Sequence, residues 1–191
     1  MGKYQNILEI VLLTFGTTWL MSLIMIIGFS FHVRFFYVYT GSVALSLFII
    51  PYLYIERNHY EINVNIKKGL SLRTFVFLLL GILLIWQYNL ALEKISEIAL
   101  LEFIIQFLVV SVSEEYLYRC CVQEILCKIF SFKLSTIIQS ILFAFILHTS
   151  LPFYLNLFLR FPMGLLLTYI HKKNSLANII FIHFSQVQTP V

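Results

Sequence analysis

FIIQFLVVSVSEEYLYR (residues 103–119) is the stretch on which the fold turns. An uncharged run fills 103–113, and Glu114, Glu115 and Arg119 then follow within six residues. The rest of the chain gives this cluster its meaning. Of 191 residues, 60% are hydrophobic, 17% aromatic and only 12% charged, and the mean hydropathy is +0.91. Soluble domains carry about 25% charged residues. The composition is that of a polytopic membrane protein, and the length allows one domain. A charge inside the bilayer is expensive, so it usually faces the bundle interior and marks function.

Crossing a bilayer takes about 17–25 apolar residues. Such stretches occur at 10–33, 35–55 and 74–92, and then at 95–128, where the quoted charges interrupt the run. The uncharged segment 134–159 divides at Pro152. One helix ends near Ser150, and the next covers 152–170 with Arg160 inside it. A short final span covers 174–191. The pattern predicts an all-α transmembrane helical bundle of about seven spans. The first span reads as an uncleaved helix, because its apolar core is too long for a signal peptide and no A-x-A site follows.

With the N-terminus in the cytoplasm, nine Lys and Arg residues fall in inner segments and two, Arg34 and Lys94, in outer ones. That bias follows the positive-inside rule and places the C-terminus outside the cell membrane. The net charge of +4 then reflects topology and contact with membrane lipid. Nucleic acid is not an expected partner, because no basic stripe interleaves with aromatic residues. Cys120, Cys121 and Cys127 lack the spacing of a disulfide framework or a zinc motif. They read as small apolar packing residues.

The ionisable residues that stand out within spans are Glu102, Glu114, Glu115, Arg119, His148, Arg160 and His183. Counted from the nearest inner lysines, Glu114, His148, Arg160 and His183 lie at a common depth of about 15–23 Å at the helical rise. Helical phase separates the two glutamates. Glu115 and Arg119 are i,i+4 and can pair, whereas Glu114 points away from Arg119 and shares its face with Tyr118. A free carboxylate and two imidazoles at one depth suit hydrolysis. Glu114 would take a proton from water, His148 would share that water, and His183 would donate to the oxyanion. Glu114, His148 and His183 equally compose a His₂Glu shell for a divalent metal such as zinc. The spacing leaves both mechanisms open. Glu102 reads as structural or interfacial, and Arg160 as the partner of a glutamate across the bundle. His32, His59 and His171 are assigned to loops or interfaces, with no role.

The motifs EEYLYR (114–119), LFAFILH (142–148) and NSLANIIFIH (174–183) resemble the CPBP group. This group holds the type II CAAX prenyl endopeptidases and the bacteriocin-processing (Abi) intramembrane proteases. The resemblance covers about residues 98–187 and divides the chain into accessory spans in 1–97 and a catalytic-like core in 98–191. It implies that Glu114 is the principal base, that Glu115 and Arg119 support it, and that His148 helps activate water. His183 would stabilise the oxyanion. It implies a peptide or membrane-protein substrate, in bacteriocin processing or self-immunity. Two positions depart from the pattern. Ala144 stands where F-x-x-x-H has Phe, with Phe143 and Phe145 on either side, and Val187 stands where Asn or Asp follows the third motif's His.

Two other readings use the same residues. A non-catalytic bacteriocin immunity or regulatory protein would use the polar cavity for docking, a reading that Val187 motivates. A small transporter subunit would bind a solute through Asn156 and Arg160. The hydrolase reading needs Glu114 as a base, the docking reading tolerates Glu114→Gln, and the transporter reading requires a tight small ligand.

Overall fold

The computed structural model describes residues 2–60, 97–149, 151–173 and 176–186. These form helices joined by short turns, and no strand occurs among them. Helices α1 (Tyr4–Ser30), α2 (Phe35–Arg57) and α5 (Phe153–Lys173) are long and apolar enough to cross a membrane. Helix α3 covers 97–127, α4 is the shorter apolar Phe132–Leu147, and α6 is Leu176–Gln186. The expected span 74–92 lies outside the described residues. Among the described residues, length and composition mark three membrane spans, fewer than the sequence suggests for these segments. The difference has a physical source. α4 and α6 are too short to count by themselves, and the apolar run of α3 is broken by its own glutamates.

Helices dominate because lipid offers no partner for backbone N–H and C=O groups, which a helix satisfies internally. Two helix ends are closed by residues given no role above. His32 has φ 57° and His59 has φ 52°. Each sits just past a helix in the left-handed conformation that a C-terminal cap needs. Around His32, Val33 N–H donates to Gly28 O and His32 N–H to Phe29 O. Around His59, Tyr60 N–H donates to Ile55 O and His59 N–H to Glu56 O. Both patterns are Schellman caps that satisfy otherwise orphaned carbonyls.

Each of the helices α1 to α5 contains a π-helical stretch: Leu12–Gly16, Ala44–Ile49, Tyr116–Val122, Phe143–Leu147 and Asn156–Arg160. Such a stretch closes i→i+5 hydrogen bonds, which shifts the phase of everything beyond it. The stretch in α3 begins directly after Glu115, the one in α4 ends directly before His148, and the one in α5 holds Asn156 and Arg160.

A single core unites the two halves of the chain. Ile10 and Leu13 from α1 and Val43, Leu47 and Ile55 from α2 pack with Tyr116, Leu117, Val122 and Ile125 of α3. Phe143 of α4 and Leu176 of α6 complete it. The second half of α3 is thus enclosed on all sides, and every residue from Ser113 to Gln123 is buried. The outside is apolar, with Trp19, Phe31, Phe153 and Phe158 exposed, as a lipid-facing surface requires. α4 and α5 cross closely at Gly164, where an added Cβ would lie 3.0 Å from the Cβ of Ser140. Beside that crossing Thr168 Oγ1 donates to Gln139 Oε1 at 2.7 Å. Small residues and interhelical hydrogen bonds are the usual means of joining helices in lipid.

Candidate active site

Burial of α3 carries its charges into the middle of the bundle, where each needs a partner. Arg119 Nε donates to Glu115 Oε2 at 3.0 Å, and both side chains are fully buried. This is the i,i+4 pair that helical phase anticipates. The Arg119 guanidinium lies 5.0 Å from the centre of the Phe143 ring. Its two terminal nitrogens find no hydrogen-bond partner among the described residues.

The other oxygen of Glu115 is also engaged. His183 Nδ1, on α6, lies 2.7 Å from Glu115 Oε1. Glu115 is therefore more than a support for Arg119, because it also fixes the orientation of the His183 ring. Hydrogen bonding at one imidazole nitrogen decides what the other can do. Here the other nitrogen, Nε2, faces Glu114 Oε2 at 3.4 Å.

Glu114 points away from Arg119, as its helical phase requires, and toward two histidines. His148 Nε2 lies 3.8 Å from the same Oε2. Glu114 Oε2, His148 Nε2 and His183 Nε2 are all buried without a hydrogen-bond partner among the described residues. Three unsatisfied polar atoms around one small volume, inside an apolar bundle, are costly. A small guest that donates to the carboxylate would satisfy them, and polar atoms 3.8 Å apart are within reach of one shared water molecule.

Phe143 forms the floor of this volume. Its ring centre is 5.4 Å from that of Tyr118, 5.1 Å from His148 and 5.8 Å from His183, each in an edge-on arrangement. In a regular α-helix the residue below His148 would be position 144, four residues back. The π stretch Phe143–Leu147 supplies one extra residue per turn and brings position 143 under His148 instead. Ala144 thus ceases to be a gap in the motif, since the aromatic is present one residue earlier. Nothing in the sequence alone marks this stretch as π-helical.

His148 closes α4, and its carbonyl accepts from Leu151 N–H at 3.1 Å. Asn156 of α5 is a second donor to it, through Nδ2 at 2.9 Å. Arg160 follows one turn later. The expected pairing of Arg160 with a glutamate does not form: among the described residues it takes part in no ion pair, and its Nε is buried without a partner. Glu102 stands apart from the site and pairs with Arg34 at 3.2 Å near the surface. The position of Val187 lies outside the described residues.

Glu114, His148 and His183 are also the residues of the metal-shell alternative. Among the described residues no three His, Cys, Asp or Glu side chains are placed to hold one ion.

Residues 96–187 match the family model described as type II CAAX prenyl endopeptidase Rce1-like. No curated protein and no solved structure matches the chain.

Proposed function

Through residues 96–187 the chain belongs to the Rce1-like type II CAAX prenyl endopeptidase family, a family of membrane proteases, and on that premise we propose that it is an intramembrane endopeptidase using Glu114 as its base. The observation that carries this reading is the approach of His148 and His183 to one oxygen of a buried carboxylate, at 3.8 and 3.4 Å. A water held between Glu114 and His148 is close enough to lose its proton to the carboxylate. Its oxygen then adds to the carbonyl carbon of a peptide bond. Glu115 holds the His183 ring beside Glu114, and Arg119 holds Glu115. Phe143 and Tyr118 keep bulk water out, which strengthens each electrostatic contact.

The substrate is a peptide or membrane-protein segment that reaches the site from the lipid, and bacteriocin processing or self-immunity is the role we assign to it. The protein crosses the cell membrane several times, with its N-terminus in the cytoplasm and residues 98–191 forming the catalytic core. The inner bias of its lysines and arginines supports that orientation.

The test uses purified protein in detergent and an internally quenched farnesylated peptide of the CAAX type. Wild type cleaves it. Glu114→Gln, close in shape but unable to accept the proton, slows cleavage by roughly 10²–10⁴-fold, the usual worth of a general base. A Glu114→Gln protein that cleaves at the wild-type rate sinks the hydrolase reading. It favours the non-catalytic docking alternative instead.

A further inference from the structure

A second polar cavity lies apart from Glu114, at the end of the bundle where α3 and α5 stop. It has a volume of about 230 Å³. Sites for drug-sized ligands run to roughly 300–1,000 Å³, so this one suits a smaller group. Gln123 and Glu124 of α3 line one wall and Phe132, the first residue of α4, lines another. Thr168, His171 and Lys172 in the last turns of α5 line the third.

The polar groups of this cavity do not satisfy one another. Gln123 is only 3% exposed, and its Oε1 has no hydrogen-bond partner among the described residues. Thr168 cannot serve that oxygen, because its hydroxyl is engaged with Gln139 Oε1 at 2.7 Å and Gly164 O at 2.8 Å. His171 Nδ1 is likewise buried without a partner among the described residues. Glu124 and Lys172 carry opposite charges, yet neither enters an ion pair among the described residues. Lys172 is held over the Phe132 ring instead, with Nζ 4.1 Å from its centre. A buried acceptor, a carboxylate and an ammonium around one small space call for a ligand that carries both signs of charge. Position narrows the choice. Helix α3 ends at Cys127 and α5 at Lys173, so the cavity lies where apolar helices meet the headgroup level of a bilayer. Beyond Phe132, α4 exposes Leu134, Ile137 and Ile141, an apolar surface on which acyl chains can lie.

We propose that this cavity binds the phosphoethanolamine headgroup of a membrane lipid. The phosphate meets Lys172, and the ammonium donates to the Glu124 carboxylate and to Gln123 Oε1. His171 Nδ1 can serve either group. Basic pockets between membrane helices commonly hold lipid headgroups. Here the acidic wall adds a second demand. A choline headgroup has no N–H to donate, and a glycerol headgroup has no positive charge to set against Glu124. The site takes no part in bond making, and the inference does not rest on the hydrolase reading.

The experiment titrates the purified full chain, in a maltoside detergent, with dioctanoyl phosphatidylethanolamine, phosphatidylcholine and phosphatidylglycerol, and reads the thermal shift. Wild type binds phosphatidylethanolamine roughly tenfold more tightly than either of the others, the worth of one charge-assisted hydrogen bond. Glu124→Gln removes that preference and binds the three lipids alike. Lys172→Gln weakens all three, and Lys172→Arg restores them. Lys173→Gln changes the neighbouring charge, which does not line the cavity, and behaves as wild type. Neither Glu124 nor Lys172 has an ion pair to lose, so without lipid their variants melt near wild type, and a lost shift reports binding and not folding. Free phosphoethanolamine at the same concentration gives no shift, because it lacks the chains. The inference is overturned if wild type shows no preference among the lipids, or if Glu124→Gln keeps one. An equal effect of Lys172→Gln and Lys173→Gln overturns it too, by showing general surface charge at work. An equal shift from free phosphoethanolamine overturns the assignment to a membrane lipid.

Discussion

Glu114 and Glu115 are neighbours in sequence, and the structure separates them by their partners. Glu115 is saturated by Arg119 on one oxygen and His183 on the other. Glu114 keeps an oxygen with no hydrogen bond. Stability and activity should therefore part between the two positions. Glu115→Gln strands a buried Arg119, and breaking a buried pair in this way costs about 3–5 kcal/mol. Glu114→Gln removes a carboxylate that has no hydrogen bond to lose at Oε2, so its unfolding temperature stays near wild type. Thermal unfolding in detergent checks both, and equal destabilisation by the two variants would contradict the division of roles. This division was legible in the sequence, because i,i+4 spacing identifies the face shared by Glu115 and Arg119. The link from His183 to Glu115 was not legible. It depends on how α6 rotates against α3, and no local spacing encodes that. Arg160 was misread for the same reason, since pairing across a bundle depends on distances a sequence does not hold.

Among the elements, the helices themselves were well marked. The apolar stretches 35–55 and 152–170 became Phe35–Arg57 and Phe153–Lys173, because charge and Pro152 fix their ends. The interruptions inside them were invisible. A π stretch leaves an apolar run looking like any other, yet Phe143–Leu147 decides which aromatic lies under His148. The double substitution Phe143→Ala, Ala144→Phe tests this. It keeps the composition and produces the F-x-x-x-H spacing that an unbroken α-helix would favour. In this fold it removes the ring that Tyr118, His148 and His183 pack on and forces another into a fully buried alanine site. Loss of a buried phenylalanine costs about 3–5 kcal/mol, and overpacking adds to it. The swapped protein should melt earlier and cleave the farnesylated peptide more slowly. Equal or better cleavage would mean that α4 is regular at this point and that position 144 faces the site.

For the whole molecule, the number and direction of crossings follow from features of different strength. The exposed apolar surface makes a membrane protein of it, whereas the direction rests on the distribution of lysine and arginine alone. The site links the two questions. α3 brings Glu114 to the centre from a C-terminal end that carries Lys128, and Lys128 lies 3.7 Å from the ring centre of Tyr60, the residue that donates to Glu9 of α1. The ends of α1, α2 and α3 are thus gathered on one side of the bundle, the side that the proposed orientation puts in the cytoplasm. Cys127 offers a direct probe of that side. It is exposed, while Cys120 and Cys121 are buried in the same helix, so it is the cysteine that an impermeant reagent can reach. A membrane-impermeant maleimide should label the native protein in inside-out vesicles and leave it unlabelled in intact cells, with the signal lost in Cys127→Ser. Labelling from the outer side of intact cells would invert every crossing. It would place the chain ends and the entry to Glu114 on the opposite faces, because the helices that hold the site cannot turn over separately once Phe143, Tyr116 and Leu47 share one core.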